Sequence, residues 1–196
     1  MNIKELREYA LENNIPIMQD EGIQFLVSFI KKNGIKSILE IGSAIGYSAI
    51  VMASINDDIK ITTIERNQER YLEAVKNIKK FNLEDRIEII YKDALDVNID
   101  SKYDLIFIDA AKGQNINFFE KFERNLNNYG YIITDNMDFH GLTDKNPSEI
   151  ESRNVRQLVR KINEYKEYLF SKKDYDVEIL NIGDGIAIAS KKEDRI

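Results

Sequence analysis

The segment Ser37-Ile-Leu-Glu-Ile-Gly-Ser-Ala-Ile-Gly-Tyr-Ser48 constrains this chain more than any other. Ile38, Leu39 and Ile41 predict a buried strand, and Gly42 and Gly46 predict a tight turn from which a helix leaves at about Tyr47. A strand that runs into glycines and then a helix is the opening unit of an α/β sheet, and its bare backbone can approach a ligand. Glu65 ends the next apolar run. An acid there can accept hydrogen bonds from both hydroxyls of a ribose, so the two features together point to a nucleotide-like cofactor.

Glycine spacing separates the candidate cofactors. A dinucleotide site uses Gly-x-Gly-x-x-Gly around a pyrophosphate, whereas here Ser43 and Ala44 intervene to give Gly42-x-x-x-Gly46, with Glu40 just before the turn. An acid so placed would repel a diphosphate but tolerates a sulfonium cation with an amino-acid tail, which favours S-adenosylmethionine. Glycines serving turn geometry alone are the plainer reading of the pair; Glu40 and Glu65 weigh against it.

The rest of the chain alternates strand and helix. Strands are expected at Ser37–Ile41, Lys60–Ile64, Ile87–Tyr91, Tyr103–Ile108, Tyr131–Thr134, Asp176–Asn181 and Ile186–Ser190. Helices are expected at Ile3–Asn13, Asp20–Asn33, Tyr47–Ile55, Gln68–Phe81, Ile116–Asn125 and Glu149–Ser171. This order predicts a Rossmann-like α/β fold, a seven-stranded mainly parallel sheet with helices on both faces. Only Ile182-Gly-Asp-Gly185 separates the last two strands, too little for a crossover helix, so they form an antiparallel hairpin. That ending is expected of class I methyltransferases rather than of dinucleotide dehydrogenases.

With 196 residues, 43% hydrophobic and 32% charged, the chain suits one domain over 1–196, its first 34 residues helping to cover the active site. The N-terminus lacks a signal-peptide layout and no apolar run reaches the roughly 18 residues of a bilayer span, so a cytoplasmic protein without membrane contact is expected. Cysteine is absent and His140 is the one histidine, which excludes disulfides, thiolate nucleophiles and multi-histidine metal sites. Any metal must be held by oxygen. A net charge of −6 gives no general attraction to nucleic acid, though a local basic patch remains open.

Two predicted strands end in acids, at Asp109 and at Asp135-Asn136. Adjacent strand ends lie about 4.8 Å apart, so these three oxygens can converge on one rim of the sheet, and their number and type suit Mg²⁺. Lys112 follows in the loop Ala110-Ala-Lys-Gly-Gln114, where a neighbouring cation and sulfonium would lower its pKa toward that of a general base. Asp109 orienting the cofactor, Asp135-Asn136 capping a turn and a solvated Lys112 are the plainer readings. Asp93, after the third strand, can bond an adenine amino group or simply shape a turn. In the last helix Val155, Leu158, Val159, Ile162 and Leu169 form the core face, while Arg153, Arg156 and Arg160 share the other with Glu164 and Glu167. Those arginines can contact phosphates or pair with the glutamates.

Assembled, these motifs resemble the cation-dependent O-methyltransferases of the catechol and caffeoyl-CoA type over nearly the whole chain. The resemblance rests on Leu39-Glu-Ile-Gly-Ser-Ala-Ile-Gly-Tyr-Ser48, Ile64-Glu65, Phe107-Ile-Asp109 with Lys112, and Thr134-Asp-Asn136, in that order. It implies Mg²⁺ or a similar cation on Asp109, Asp135 and Asn136, and catalysis by Lys112 and Asp109. The implied contacts to S-adenosylmethionine are Met18, Glu40, Gly42, Ser43, Ala44, Ser48, Glu65, Arg66, Asp93, Ala94 and Asp109. Ile15–Met18, Ile108–Gln114, Val155–Lys161 and Ile182–Gly185 further resemble the branch that methylates 5-hydroxyuridine in bacterial tRNA. That likeness assigns Arg153, Arg156 and Arg160 to the anticodon stem-loop. A small hydroxyl-bearing aromatic substrate, and a cofactor-binding module supporting a partner, are the alternatives; family members often form homodimers. Two departures from the family stand out: a start close to the Pro16 turn, from which a shortened N-terminal helix is expected, and Asp138 and His140 in the loop after Asn136.

Overall fold

A computed structural model describes residues 1–138, 141–143 and 145–192. His140 lies outside the described residues. The strands are β1 (Ser37–Ile41), β2 (Lys60–Glu65), β3 (Ile87–Tyr91), β4 (Tyr103–Ile108), β5 (Leu126–Asp135), β6 (Tyr175–Leu180) and β7 (Ile186–Lys191). They form one sheet in the order β3-β2-β1-β4-β5-β7-β6, with β7 antiparallel to both of its neighbours and the other pairings parallel. The chain begins at β1, winds outward to β3 and returns to β4 on the other side. The crevice between β1 and β4 is therefore the topological switch point, where ligands enter open α/β sheets.

Strand alternation divides the core between two faces. Leu105 and Phe107 of β4 point to one side, together with Ile38 and Ile61, and meet Leu6 of α1 (Ile3–Glu12), Leu26 and Ile30 of α2 (Asp20–Asn33), Ile50 of α3 (Tyr47–Ala53) and Ile78 of α4 (Gln68–Lys80). Ile106 and Ile108 point to the other side, together with Leu39 and Ile64. There they meet Phe118, Phe119 and Phe122 of α5 (Asn115–Phe122) and Ile162, Tyr165 and Leu169 of α6 (Arg153–Ser171). Each such fully buried side chain contributes roughly 1.5–3 kcal/mol from burial.

Several element ends differ from the sequence expectation. The last helix starts at Arg153 rather than Glu149, because the Ser152 hydroxyl accepts the Val155 N–H at 3.4 Å and caps it there. Pro147–Glu149 instead make a separate 3₁₀ turn. β5 begins at Leu126, five residues before Tyr131, since Leu126 already pairs with Tyr103. The helix after Lys112 closes at Phe122 and tightens to a 3₁₀ turn over Glu123–Asn125. No helix among the described residues is long and apolar enough to cross a membrane.

Candidate active site

The register around the switch point assembles the site. Ile41 stands beside Ile64 on one side and Ile108 on the other, so Gly42, Glu65 and Asp109 all emerge at one end of the sheet. The Gly42 N–H donates to Ile64 O at 3.0 Å, and the Asp109 N–H donates to Ile41 O at 3.0 Å. Gly42 has φ +97°, and a Cβ there would lie 2.2 Å from Asp109 O, so glycine is required for two separate reasons. Ala44, with φ +45°, carries the turn onward, and its N–H donates to Glu65 Oε2 at 2.9 Å. Glu65 Oε1 accepts from the Asn67 N–H at 2.7 Å. The loop and the acid are thus fixed to each other, with further lone pairs left on the carboxylate.

A cavity of about 410 Å³ opens at this end of the sheet. Met18, Gly42, Ser43, Ala44, Ser48, Glu65, Arg66, Asp93, Ala94 and Asp109 line it, which is every expected cofactor contact except Glu40. Glu40 is fully buried beneath the loop, its carboxylate accepting from Ser48 Oγ and Thr63 Oγ1, each at 2.5 Å. It holds the Ser48 hydroxyl from behind and does not reach the cavity wall. Burial, opposed by those hydroxyls and reinforced by the Glu65 charge, pushes its pKa up to about 7. Asp93 lines the cavity, and its Oδ1 accepts from the Leu95 N–H at 3.0 Å, which shapes the turn after β3.

At the other side of the cavity, β4 and β5 bring Asp109, Asp135 and Asn136 together. Asn136 Nδ2 donates to Asp109 Oδ1 at 3.2 Å and to Asp135 Oδ2 at 3.0 Å, and Asn136 itself holds a left-handed φ of +63°. Lys112 Nζ donates to Asn136 Oδ1 at 2.8 Å. Burial raises both aspartates above the usual carboxylate range; the Glu40 charge adds to the rise at Asp109, and the Asp109 charge adds to it at Asp135. Burial also lowers Lys112, against the pull of Asp184, Asp135 and Asp109. The protein alone thus lowers Lys112 by desolvation, and the expected cation and sulfonium would act in the same direction.

Among the described residues no group of three or more acidic, histidine or cysteine side chains forms a metal cluster. The oxygen set here is smaller, two carboxylates and one amide. Its chemistry fits a hard divalent cation that keeps water or substrate oxygens in its remaining positions. The buried Asp135 and half-buried Asp109 carboxylates are held together by an amide group that sits between them, where a cation would balance their charge better. Coordination by Asn136 requires its oxygen, now turned to Lys112, to face the carboxylates.

Sequence reasoning missed several cavity residues. Tyr47, Arg70, Lys92, Ala111 and Phe118 line the wall, but each lies on an element whose orientation became known only with the register. Asp184 is the most consequential. Gly185 O accepts from the Met137 N–H at 2.9 Å and Asp184 O accepts from the Asp138 N–H at 2.8 Å, so the β6–β7 turn is sewn to the loop after β5. This places the buried Asp184 carboxylate 3.7 Å from Lys112 Nζ. Asp184 followed from the sequence only as a turn residue, with nothing to show which loop the turn would meet.

The arginines of α6 do come together, in a shallow groove with Gln157, Val159, Asn163, Glu164 and Glu167, away from the cavity. Arg160 Nε donates to Glu164 Oε1 at 2.8 Å. Arg156 donates to the backbone carbonyls of Ile150 and Glu151. Pairing with a helix glutamate, the plainer alternative for this face, is therefore found at Arg160, while Arg156 is engaged by backbone carbonyls.

A sequence profile of the O-methyltransferase family matches residues 1–192. The caffeoyl-CoA O-methyltransferase of Stellaria longipes is 30% identical over 203 residues, spanning 97% of this chain and 83% of the plant enzyme. A Staphylococcus aureus protein provisionally assigned as a caffeoyl-CoA O-methyltransferase superposes with a TM-score of 0.92 at 43% identity, covering 98% of this chain and 93% of that one. A Bacillus cereus O-methyltransferase solved in complex with SAH superposes with a TM-score of 0.84 at 25% identity, covering 97% of this chain and 90% of that one. Strand order, the glycine loop at the switch point and these likenesses agree: the chain belongs to the O-methyltransferase family of class I, S-adenosylmethionine-dependent enzymes, alongside those of the caffeoyl-CoA type.

Proposed function

We propose that this chain methylates an acidic ring hydroxyl that has a second oxygen beside it, with a divalent cation such as Mg²⁺ held by Asp109, Asp135 and Asn136. The substrate we assign is 5-hydroxyuridine at the tRNA wobble position, yielding 5-methoxyuridine. One observation carries the reading: Asp109, Lys112 and Asn136 line the same cavity as Gly42, Ser43 and Glu65. A site for a methyl donor and a site for activating an oxygen are therefore one space.

The glycine loop and Ser48 receive the amino-acid tail of the donor, and Glu65 receives its ribose. The donor, when bound, supplies an electrophilic methyl carbon, and transfer to oxygen releases a neutral thioether. Asp109, Asp135 and Asn136 would hold a cation whose Lewis acidity would lower the pKa of the substrate hydroxyl. Lys112 Nζ, partly desolvated and lowered in pKa, takes the hydroxyl proton. Fixed geometry at the strand ends of β4 and β5 supplies orientation, which is worth several kcal/mol of barrier.

Turnover measured with Mg²⁺, with EDTA and after Mg²⁺ is restored tests the reading. Activity that disappears with EDTA and returns with the ion is expected; full activity in EDTA overturns the cation's role. A small catechol is the second reading, favoured by the local pairing of Arg156 and Arg160 and by the net charge of −6.

A further inference from the structure

We infer that the rim of the cavity formed by α4 and the end of β3 is the docking surface for a single-stranded RNA loop. This rests on the tRNA reading above. Arg66, Arg70 and Lys92 line the cavity and are exposed. The methyl donor carries net positive charge and no phosphate, so added cations at its rim do nothing to attract it. Arg66 is paired with Asp93 at 3.3 Å, whereas no carboxylate among the described residues lies within ion-pair reach of Arg70 or Lys92. Two charges at the entrance are therefore unexplained by the donor.

Their immediate chain neighbours are aromatic. Tyr71 follows Arg70 on α4, and Tyr91 precedes Lys92 at the end of β3. The two rings pack with centroids 5.1 Å apart and planes 31° apart, yet Tyr91 stays 49% exposed. β3 is the outer strand of the sheet. Exposed cations whose chain neighbours form an aromatic pair suit unpaired nucleotides, whose phosphates meet the charges while a base stacks on the exposed ring. A duplex hides its bases and gains nothing from Tyr91. The α6 face offers no comparable ring beside its arginines, two of which are already engaged.

An anticodon stem-loop RNA carrying 5-hydroxyuridine, titrated by fluorescence anisotropy over a salt series against protein saturated with S-adenosylhomocysteine, tests this. With R70Q/K92Q the slope of log affinity against log salt should shrink by about 1.4, from about 0.7 per phosphate contact on a single strand. Y91A should weaken binding on the order of tenfold, and Y91F should restore it. R153Q/R160Q should leave the slope unchanged. Thermal denaturation of each variant checks folding. Wild-type slope and affinity in R70Q/K92Q and Y91A overturn the docking surface, and a slope lost only in R153Q/R160Q moves the RNA to α6. Displacement of the RNA by micromolar coenzyme A would give the rim to a nucleotide thioester and overturn the RNA assignment. If the wild-type protein binds no stem-loop at all, the tRNA reading itself falls.

Discussion

Among the described residues Glu40 pairs with no cation, and two hydroxyls hold its carboxyl. The folded protein keeps its proton up to about pH 7, whereas an exposed carboxyl in the unfolded chain loses it near 4.5. Between those values the folded state binds more protons than the unfolded one, so stability falls as pH rises. The cost above pH 7 is on the order of 3 kcal/mol. Glu40→Gln should flatten the fall of melting temperature across that window, and an unchanged slope in the variant would refute the assignment. The sequence made Glu40 legible as an acid before a glycine turn. It could not show that Thr63, its register partner on β2, would claim half the carboxylate. The proposed mechanism makes Lys112 the base, so Lys112→Met should lower kcat by about 10²–10⁴. Asp135→Ala should abolish turnover while S-adenosylhomocysteine still binds, measured by calorimetry, because Asp135 lies with the oxygens and not among the cavity's donor-side residues.

β1 hands over to α3 at a close approach to the backbone after β4. Gly42→Ala pushes a methyl into the Asp109 carbonyl and forces alanine to φ +97°, a conformation that alone costs about 1–2 kcal/mol. The loop must move away from β4, so urea denaturation should show the loss and donor affinity should fall with it. The α6 surface predicts the opposite. Arg160 and Glu164 form an exposed pair one turn apart, and Arg160→Ala should leave the melting temperature unchanged. Strands and helices were largely legible because their apolar spacing repeats inside each element. Their ends were not: Ser152 caps α6 with a side chain that reads equally well as helix or loop, and Leu126 becomes strand only because Tyr103 lies opposite.

Across the whole molecule, the alternating pattern predicts a parallel sheet closed by a hairpin, and that is the architecture observed. The order β3-β2-β1-β4-β5-β7-β6 is not written in any local pattern; it arises from crossovers that bury both faces of the sheet. Order in turn decides function. It sets the donor loop after β1 beside the acids after β4 and β5, and it returns the last hairpin to Lys112. The central claim is that this one rim passes a methyl group to a substrate oxygen. Methyl-labelled S-adenosylmethionine and Mg²⁺, offered in parallel with tRNA lacking wobble methoxylation and with a simple catechol, test it most directly. Label on the wobble uridine oxygen is the predicted result, label on the catechol alone would keep the rim and discard the RNA, and no label on either oxygen would contradict the account.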